Sequence, residues 1–161
     1  MPSAVDKSAL LKESYTYALS LLARRDYSKV ELQQRIIKRF GLEDSECQCV
    51  LSKLESDGYQ SDKRYAEAYV RYRGDRGFGP IRLKQELSEQ GVSPELIRET
   101  LEESCEVDWD DQLQRVWQKK FRNPPDDWRG KAKQLRFLSY RGFEPARIER
   151  FLDSLSDFCQ S

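Results

Sequence analysis

Glycine recurs at Gly41, Gly91 and Gly142, at spacings of 50 and 51 residues. The residues around each copy hold a common register, which only a repeated structural unit explains. Four positions before each glycine stand Ile37, Leu87 and Leu138, and one position after stand Leu42, Val92 and Phe143. Three after come Asp44, Pro94 and Pro145; six after come Cys47, Ile97 and Ile148; ten after come Leu51, Leu101 and Leu152. Self-similarity at this period marks repeat architectures.

The register has a physical meaning. Glycine just past a helix end adopts the left-handed conformation that closes the helix, and the apolar residue behind it packs back on the last turn. Asp or Pro then opens the next helix, because Pro at the first helical position forfeits no hydrogen bond. In Ser93-Pro94-Glu95 the serine is the expected cap. Ile97 with Leu101, and Ile148 with Leu152, fall four apart and share a helix face, with Leu155 extending the second stripe.

A further helix is predicted ahead of each pair. Tyr15 to Arg25 carries Leu19 and Leu22; Asp62 to Arg73 carries Tyr65, Ala66, Tyr69, Val70 and Tyr72; Trp109 to Phe121 carries Leu113, Val116 and Trp117. Breaks follow at Asp26-Tyr27-Ser28, Gly77-Phe78-Gly79-Pro80 and Asn123-Pro124-Pro125-Asp126. The first two align, Arg25 with Arg76, Tyr27 with Phe78 and Ser28 with Gly79. No strand-like alternation appears. The expected fold is all-α: three tandem three-helix repeats, similar to helix-turn-helix units, in an elongated, curved array. The expected boundaries are a flexible N-terminus 1–9, repeats at 10–60, 61–107 and 108–158, and a tail 159–161.

Composition agrees with narrow-striped helices. The chain is 38% hydrophobic and 35% charged, and its eight Tyr, seven Phe and three Trp argue against disorder. No stretch is apolar enough to span a membrane and the N-terminus lacks a signal-peptide core, so a cytoplasmic protein is expected. With no His, Cys/His zinc sets and His-activated nucleophiles are excluded. Cys47, Cys49, Cys105 and Cys159 are scattered and read as small apolar residues. No phosphate-loop or dinucleotide motif is present. Asp108, Asp110 and Asp111 flank Trp109 at a helix start, where acids complement the helix dipole, and Asp126 and Asp127 read the same way. Trp117 and Phe121 suit a core, whereas Trp128 beside Arg129 suits a surface. The chain is expected to bind rather than catalyse.

Net charge is zero, 28 basic against 28 acidic residues, but its distribution is uneven. Residues 24–39 carry net +4, 43–57 net −4, 63–84 net +5, 86–111 net −9 and 113–150 net +7. The first and second helices of the units therefore tend to be basic, the third helices of the first two units are acidic, and the last helix does not follow. Stacked repeats align equivalent faces, which gives a surface suited to an oriented, charged partner.

The ordered set Arg25-Asp26-Tyr27-Ser28 with Glu31-Leu32, Gly58-Tyr59 with Asp62 and Arg64-Tyr65-Ala66, Arg76-Gly77-Phe78-Gly79-Pro80-Ile81-Arg82 with Gln85-Glu86-Leu87 and Gly91-Val92, and Lys133, Arg136-Phe137-Leu138 and Tyr140-Arg141-Gly142-Phe143 resembles the RecX family. The likeness spans Tyr15 to Phe158. It implies three tandem three-helix repeats and a regulator of the RecA recombinase. Such a protein binds in the groove of RecA filaments on single-stranded DNA and inhibits filament growth, ATP hydrolysis, strand exchange and LexA-repressor cleavage, modulating DNA repair and the SOS response. The resemblance implies no cofactor, no membrane partner and no small-molecule substrate; a monomer is expected. Direct contact with single-stranded DNA is left open. The candidate partner-binding residues are Arg24, Arg25, Arg71, Arg73, Arg76, Arg82 and Lys84, with Lys131, Lys133, Arg136 and Arg141 in the third unit. Three alternatives stand beside this one: a sequence-independent nucleic-acid binder, a helical adaptor for another protein, and an enzyme with dispersed carboxylates.

Overall fold

The computed structural model describes residues 4–103 and 106–159. Residues 1–3 of the expected flexible N-terminus, residues 160–161 of the expected tail, Cys105 and the side chain of Cys159 lie outside the described residues. The fold is all-α, with no strand among the described residues. The helices come in three successive sets of three. The first set is α1 (Ala4–Leu22), α2 (Lys29–Phe40) and α3 (Asp44–Ser56); the second is α4 (Asp62–Asp75), α5 (Pro80–Glu89) and α6 (Pro94–Arg98); the third is α7 (Trp109–Lys120), α8 (Trp128–Tyr140) and α9 (Pro145–Cys159).

These helices pack as two compact units. One comprises residues up to 68 together with 88–97, and the other comprises 69–87 together with 98–161. In the first unit, α1, α2 and α3 pack mutually around Ala18, Leu21, Leu32, Ile36, Cys47, Leu51 and Leu54. The sequence pattern alone puts Leu19 and Leu22 on the buried face of α1; the structure instead buries Ser14, Ala18 and Leu21 and leaves Leu19 and Leu22 at the margin. Ser14 and Ala18 are small enough to let neighbouring helices close in, and Ser14 returns its hydroxyl to the Leu11 carbonyl at 2.9 Å. The helix also begins at Ala4, well before Tyr15.

In the second unit, α7, α8 and α9 close around Leu113, Trp117, Leu138, Phe143, Ile148 and Leu152. Each such aliphatic or aromatic side chain contributes about 1.5–3 kcal/mol by leaving water. Trp117 donates its indole N–H to the buried Gln134 side chain at 2.8 Å, which satisfies both polar groups. The π turn Glu99–Glu103 continues α6 and alters the expected stripe: Ile97 and Thr100 are buried, while Leu101 is half-buried. A π turn widens the helix by one residue, so the i, i+4 relation fails there.

The three glycine turns form as expected but differ in their surroundings. Gly41 closes α2 at φ +65°, donating to the Ile37 carbonyl at 2.9 Å, and a Cβ there would meet nothing within 4 Å. Within the first unit, a Cβ on Gly91 would lie 2.2 Å from Val30 Cγ2, against the first turn of α2. Within the second unit, a Cβ on Gly142 would lie 2.4 Å from Arg82 Cβ, and one on Gly79 would lie 2.5 Å from the Gly142 carbonyl carbon. Main-chain bonds seal this last approach, Gly79 N–H to Arg141 O at 2.8 Å and Ile81 N–H to Gly142 O at 2.9 Å. The glycine turns of the second and third sets are thus docked on the start of the preceding set's middle helix, and the Gly41 turn is open.

A candidate binding groove

The second unit carries a concave groove of about 460 Å³, open to solvent, whose wall is dominated by cations. The end of α4 and the residues after it supply Asp75, Arg76 and Gly77. Helix α7 supplies Gln112, Arg115, Val116, Lys119 and Lys120, and α8 and its end supply Phe137 and Arg141. Five basic side chains therefore face one acidic side chain. Helix geometry explains the α7 contribution: Trp109, Leu113 and Trp117 occupy the buried stripe, so positions 112, 115, 116 and 119 fall on another face. Lys119 and Lys120 also complement the dipole at the C-terminal end of α7.

The half-buried ring of Phe137 is flanked by cations on the groove side. Lys120 Nζ lies 5.4 Å and the Arg141 guanidinium 5.4 Å from its centroid, and the Phe121 ring meets it edge-on at 5.4 Å. Arg76 lies 4.6 Å from the exposed Tyr72 ring. Arg115 is paired with Asp111 at 3.0 Å, but both groups are largely exposed. An exposed pair of this kind is worth only about 0–1 kcal/mol, so it yields readily to a better anion.

Beside the groove, Glu86 gathers three donors. Arg73 reaches it through Nε at 3.2 Å and Nη2 at 2.8 Å, Arg82 at 3.2 Å and the Tyr69 hydroxyl at 2.5 Å. Burial alone would raise the Glu86 pKa; hydrogen bonds from Arg73 and Tyr69 outweigh it and hold the carboxylate below 4.5. Burial, and then the bond to Glu86, push the Tyr69 phenol up to about 12. The Phe78 ring anchors both arginines and Arg141 as well, with Arg73, Arg82 and Arg141 at 3.8, 4.6 and 5.0 Å from its centroid.

The residues singled out from sequence fall into distinct places. Arg76 and Arg141 line the groove. Arg73 and Arg82 are held by Glu86 and Phe78, so their first task is to fix the α4–α5 geometry. Lys131 is engaged by Asp153 at 2.9 Å, a hydrogen bond that raises its pKa. Arg71, Lys84, Lys133 and Arg136 are exposed. Arg24 and Arg25 belong to the first unit, where Arg25 stacks 3.7 Å over Tyr27 and pairs with Glu31 at 3.2 Å. The sequence pattern passed over Arg115, Lys119 and Lys120. Their signal was available in the i, i+4 spacing of 115 with 119 and 116 with 120, opposite an apolar stripe.

The acids behave as the helix-start reading expects. Asp108 caps α7, accepting from the Asp110 and Asp111 N–H groups at 3.1 and 3.2 Å, and Asp127 caps α8, accepting from the Gly130 N–H at 2.7 Å. Among the described residues no group of three or more Cys, Asp or Glu is placed to hold a metal, and no helix is long and apolar enough to cross a membrane. Trp128 is 75% exposed.

The family model for the second three-helix domain of RecX matches residues 61–101, and that for the third matches residues 106–152. Regulatory protein RecX of Pseudomonas entomophila (strain L48) is 43% identical over 136 residues, covering 84% of this chain and 86% of that protein. Regulatory protein RecX of Pseudomonas syringae pv. tomato is 38% identical over 153 residues, covering 94% and 96%. A crystal structure of regulatory protein RecX superposes with a TM-score of 0.78 at 21% identity, covering 93% of this chain and 75% of that one. RecX from Lactobacillus salivarius gives 0.77 at 19% identity, covering 92% and 98%. Three-helix sets joined by docked glycine turns, matched in sequence and in fold over most of the chain, place it in the RecX family.

Proposed function

We propose that this chain is a negative regulator of RecA, acting in the cytoplasm by binding rather than by catalysis. It engages RecA filaments on single-stranded DNA and restrains their extension, ATP hydrolysis, strand exchange and repressor cleavage. Membership of the RecX family is the observation that carries this reading. The basic groove of the second unit supports it, because a cation-rich concave surface suits an acidic protein face or a phosphate backbone. Three repeats, divided near residues 60 and 107, let one chain hold several weak contacts at once, and each contact raises the effective concentration of the next.

The test is direct. Added to RecA, single-stranded DNA and ATP at ratios up to one chain per RecA, the protein lowers the rate of ATP hydrolysis. A flat rate across that range overturns the reading. Arg76→Glu, on an exposed groove residue, weakens the inhibition while the circular dichroism spectrum stays unchanged.

A further inference from the structure

Of the five cations lining the groove, four are engaged: Arg115 with Asp111, Arg76 over Tyr72, Lys120 over Phe137, and Arg141 over both Phe78 and Phe137. Lys119 is exposed, and its side chain has no ion pair, hydrogen bond or ring contact among the described residues. Arg115 stands one helical turn before it on the same face of α7, which puts a guanidinium beside the amine. A guanidinium fork takes two oxygens of a phosphate at once. An anion holder and a nucleophile therefore stand side by side. A reagent that uses both carries its electrophilic carbon next to a phosphate. An acyl phosphate is built this way, with a single oxygen between the two centres. A thioester on a long nucleotide carrier is not, because its phosphates lie far from the acyl carbon.

We infer that Lys119 is a site of acylation by small acyl phosphates, with Arg115 holding the phosphate. The ammonium first gives a proton to water. The amine nitrogen then attacks the acyl carbon, a C–N bond forms and the C–O bond to phosphate breaks. The phosphate leaves with that electron pair and takes the second proton shed by nitrogen. The products are an amide and hydrogenphosphate, and nothing is oxidised or reduced. Holding the donor by its phosphate concentrates the acyl group around one amine. The amide is uncharged, so the groove falls from five cations to four. The modification does not depend on the RecA reading.

The full chain supplies its own references. Lys84 is also exposed, on α5, but Pro80 and Ser88 stand one turn to either side of it. Lys131 is held by Asp153 at 2.9 Å. The chain is incubated with acetyl phosphate, and the remaining amines are then capped with a deuterated acetyl reagent in denaturant. Fragment-ion mass spectrometry reads the initial rate at each lysine. Lys119 reacts roughly tenfold faster than Lys84, a small share of what positioning can supply, and Lys120 and Lys131 lag behind it. Inorganic phosphate, competing for Arg115, brings Lys119 down to the Lys84 rate. Arg115→Gln does the same while the circular dichroism spectrum stays unchanged. Acetic anhydride, an acyl donor without phosphate, modifies Lys119 and Lys84 at similar rates.

Equal rates at Lys119 and Lys84 with acetyl phosphate overturn the inference. So does a preference that survives phosphate or Arg115→Gln, or that acetic anhydride reproduces, since Lys119 is then only an accessible amine. Faster reaction at Lys120 overturns the assignment, and a preference seen only with acetyl-coenzyme A overturns the choice of donor. Should Arg115→Gln fail to fold, phosphate competition and the anhydride comparison on the unaltered chain decide.

Discussion

Alanine at Gly41 and alanine at Gly142 are the same change at equivalent repeat positions, yet the structure assigns them different costs. At Gly41 the methyl meets nothing within 4 Å. Only the left-handed backbone opposes it, by about 1–2 kcal/mol. The stiffer unfolded chain returns about 0.4–1 kcal/mol, so the net loss is about 1 kcal/mol. At Gly142, with φ +101°, the methyl would sit 2.4 Å from Arg82 Cβ and 2.8 Å from Arg82 N. Carbon atoms rest at about 3.5–4.0 Å, so the two segments must separate by about 1 Å. Overpacking of this sort costs about 1–3 kcal/mol. The displacement also stretches the bonds from Gly79 N–H to Arg141 O and from Ile81 N–H to Gly142 O, each worth about 1 kcal/mol. With backbone strain included, the loss is about 4 kcal/mol. For a chain of this size about 2–4 °C accompanies each kcal/mol. Thermal unfolding followed by circular dichroism should therefore show a drop of about 3 °C for Gly41→Ala and about 12 °C for Gly142→Ala. Equal drops, or a larger one for Gly41→Ala, would refute the docked-turn account.

Glu86→Gln removes the charge that three donors share and costs about 2 kcal/mol at neutral pH. Because the folded carboxylate lies below 4.5, its contribution is present above that pH and is lost as the pH falls through the folded value. The gap in melting temperature between parent and variant should accordingly shrink on acidification, and a constant gap contradicts the assignment. Trp117→Phe strands the buried Gln134 oxygen and costs about 3 kcal/mol in urea unfolding, whereas Trp128→Ala changes stability by less than about 0.5 kcal/mol. In an alkaline titration read by tyrosinate absorbance, Tyr15 and Tyr69 ionise near pH 12, Tyr15 because its hydroxyl donates to Asp57. Asp57→Asn brings Tyr15 back toward 10, and an unshifted titration refutes that cause.

The helical sets were legible in the sequence because glycine, proline and capping residues act locally. Ser93 accepts from the Leu96 N–H at 3.3 Å, and Pro94 and Pro145 open α6 and α9 where the register places them. The buried face of α1 was not legible, since Ser14 and Ala18 lie inside for their small volume, which apolar periodicity does not register. Nor was the π turn at Glu99–Glu103, which breaks the period being counted. For the groove, charge counting marks a segment that lines it but not the helix that supplies Arg115, Lys119 and Lys120. Arg76 and Arg141 were identifiable as cations, but their meeting with Lys119 and Lys120 depends on how α4, α7 and α8 converge. Arg73 and Arg82 look like surface cations in sequence, and only the fold reveals Glu86 between them.

The clasp at Gly79 and Gly142 is written in main-chain atoms. Amide and carbonyl groups are identical in every residue, so the joint demands absent side chains rather than particular ones. The side chain of Ile81 beside it, 50% exposed, is released from any duty to hold the sets together. Exposed side chains around it can therefore change while the scaffold geometry stays fixed. A pair of relatives sharing about a fifth of their residues can then keep one backbone path, as a TM-score of 0.78 at 21% identity illustrates.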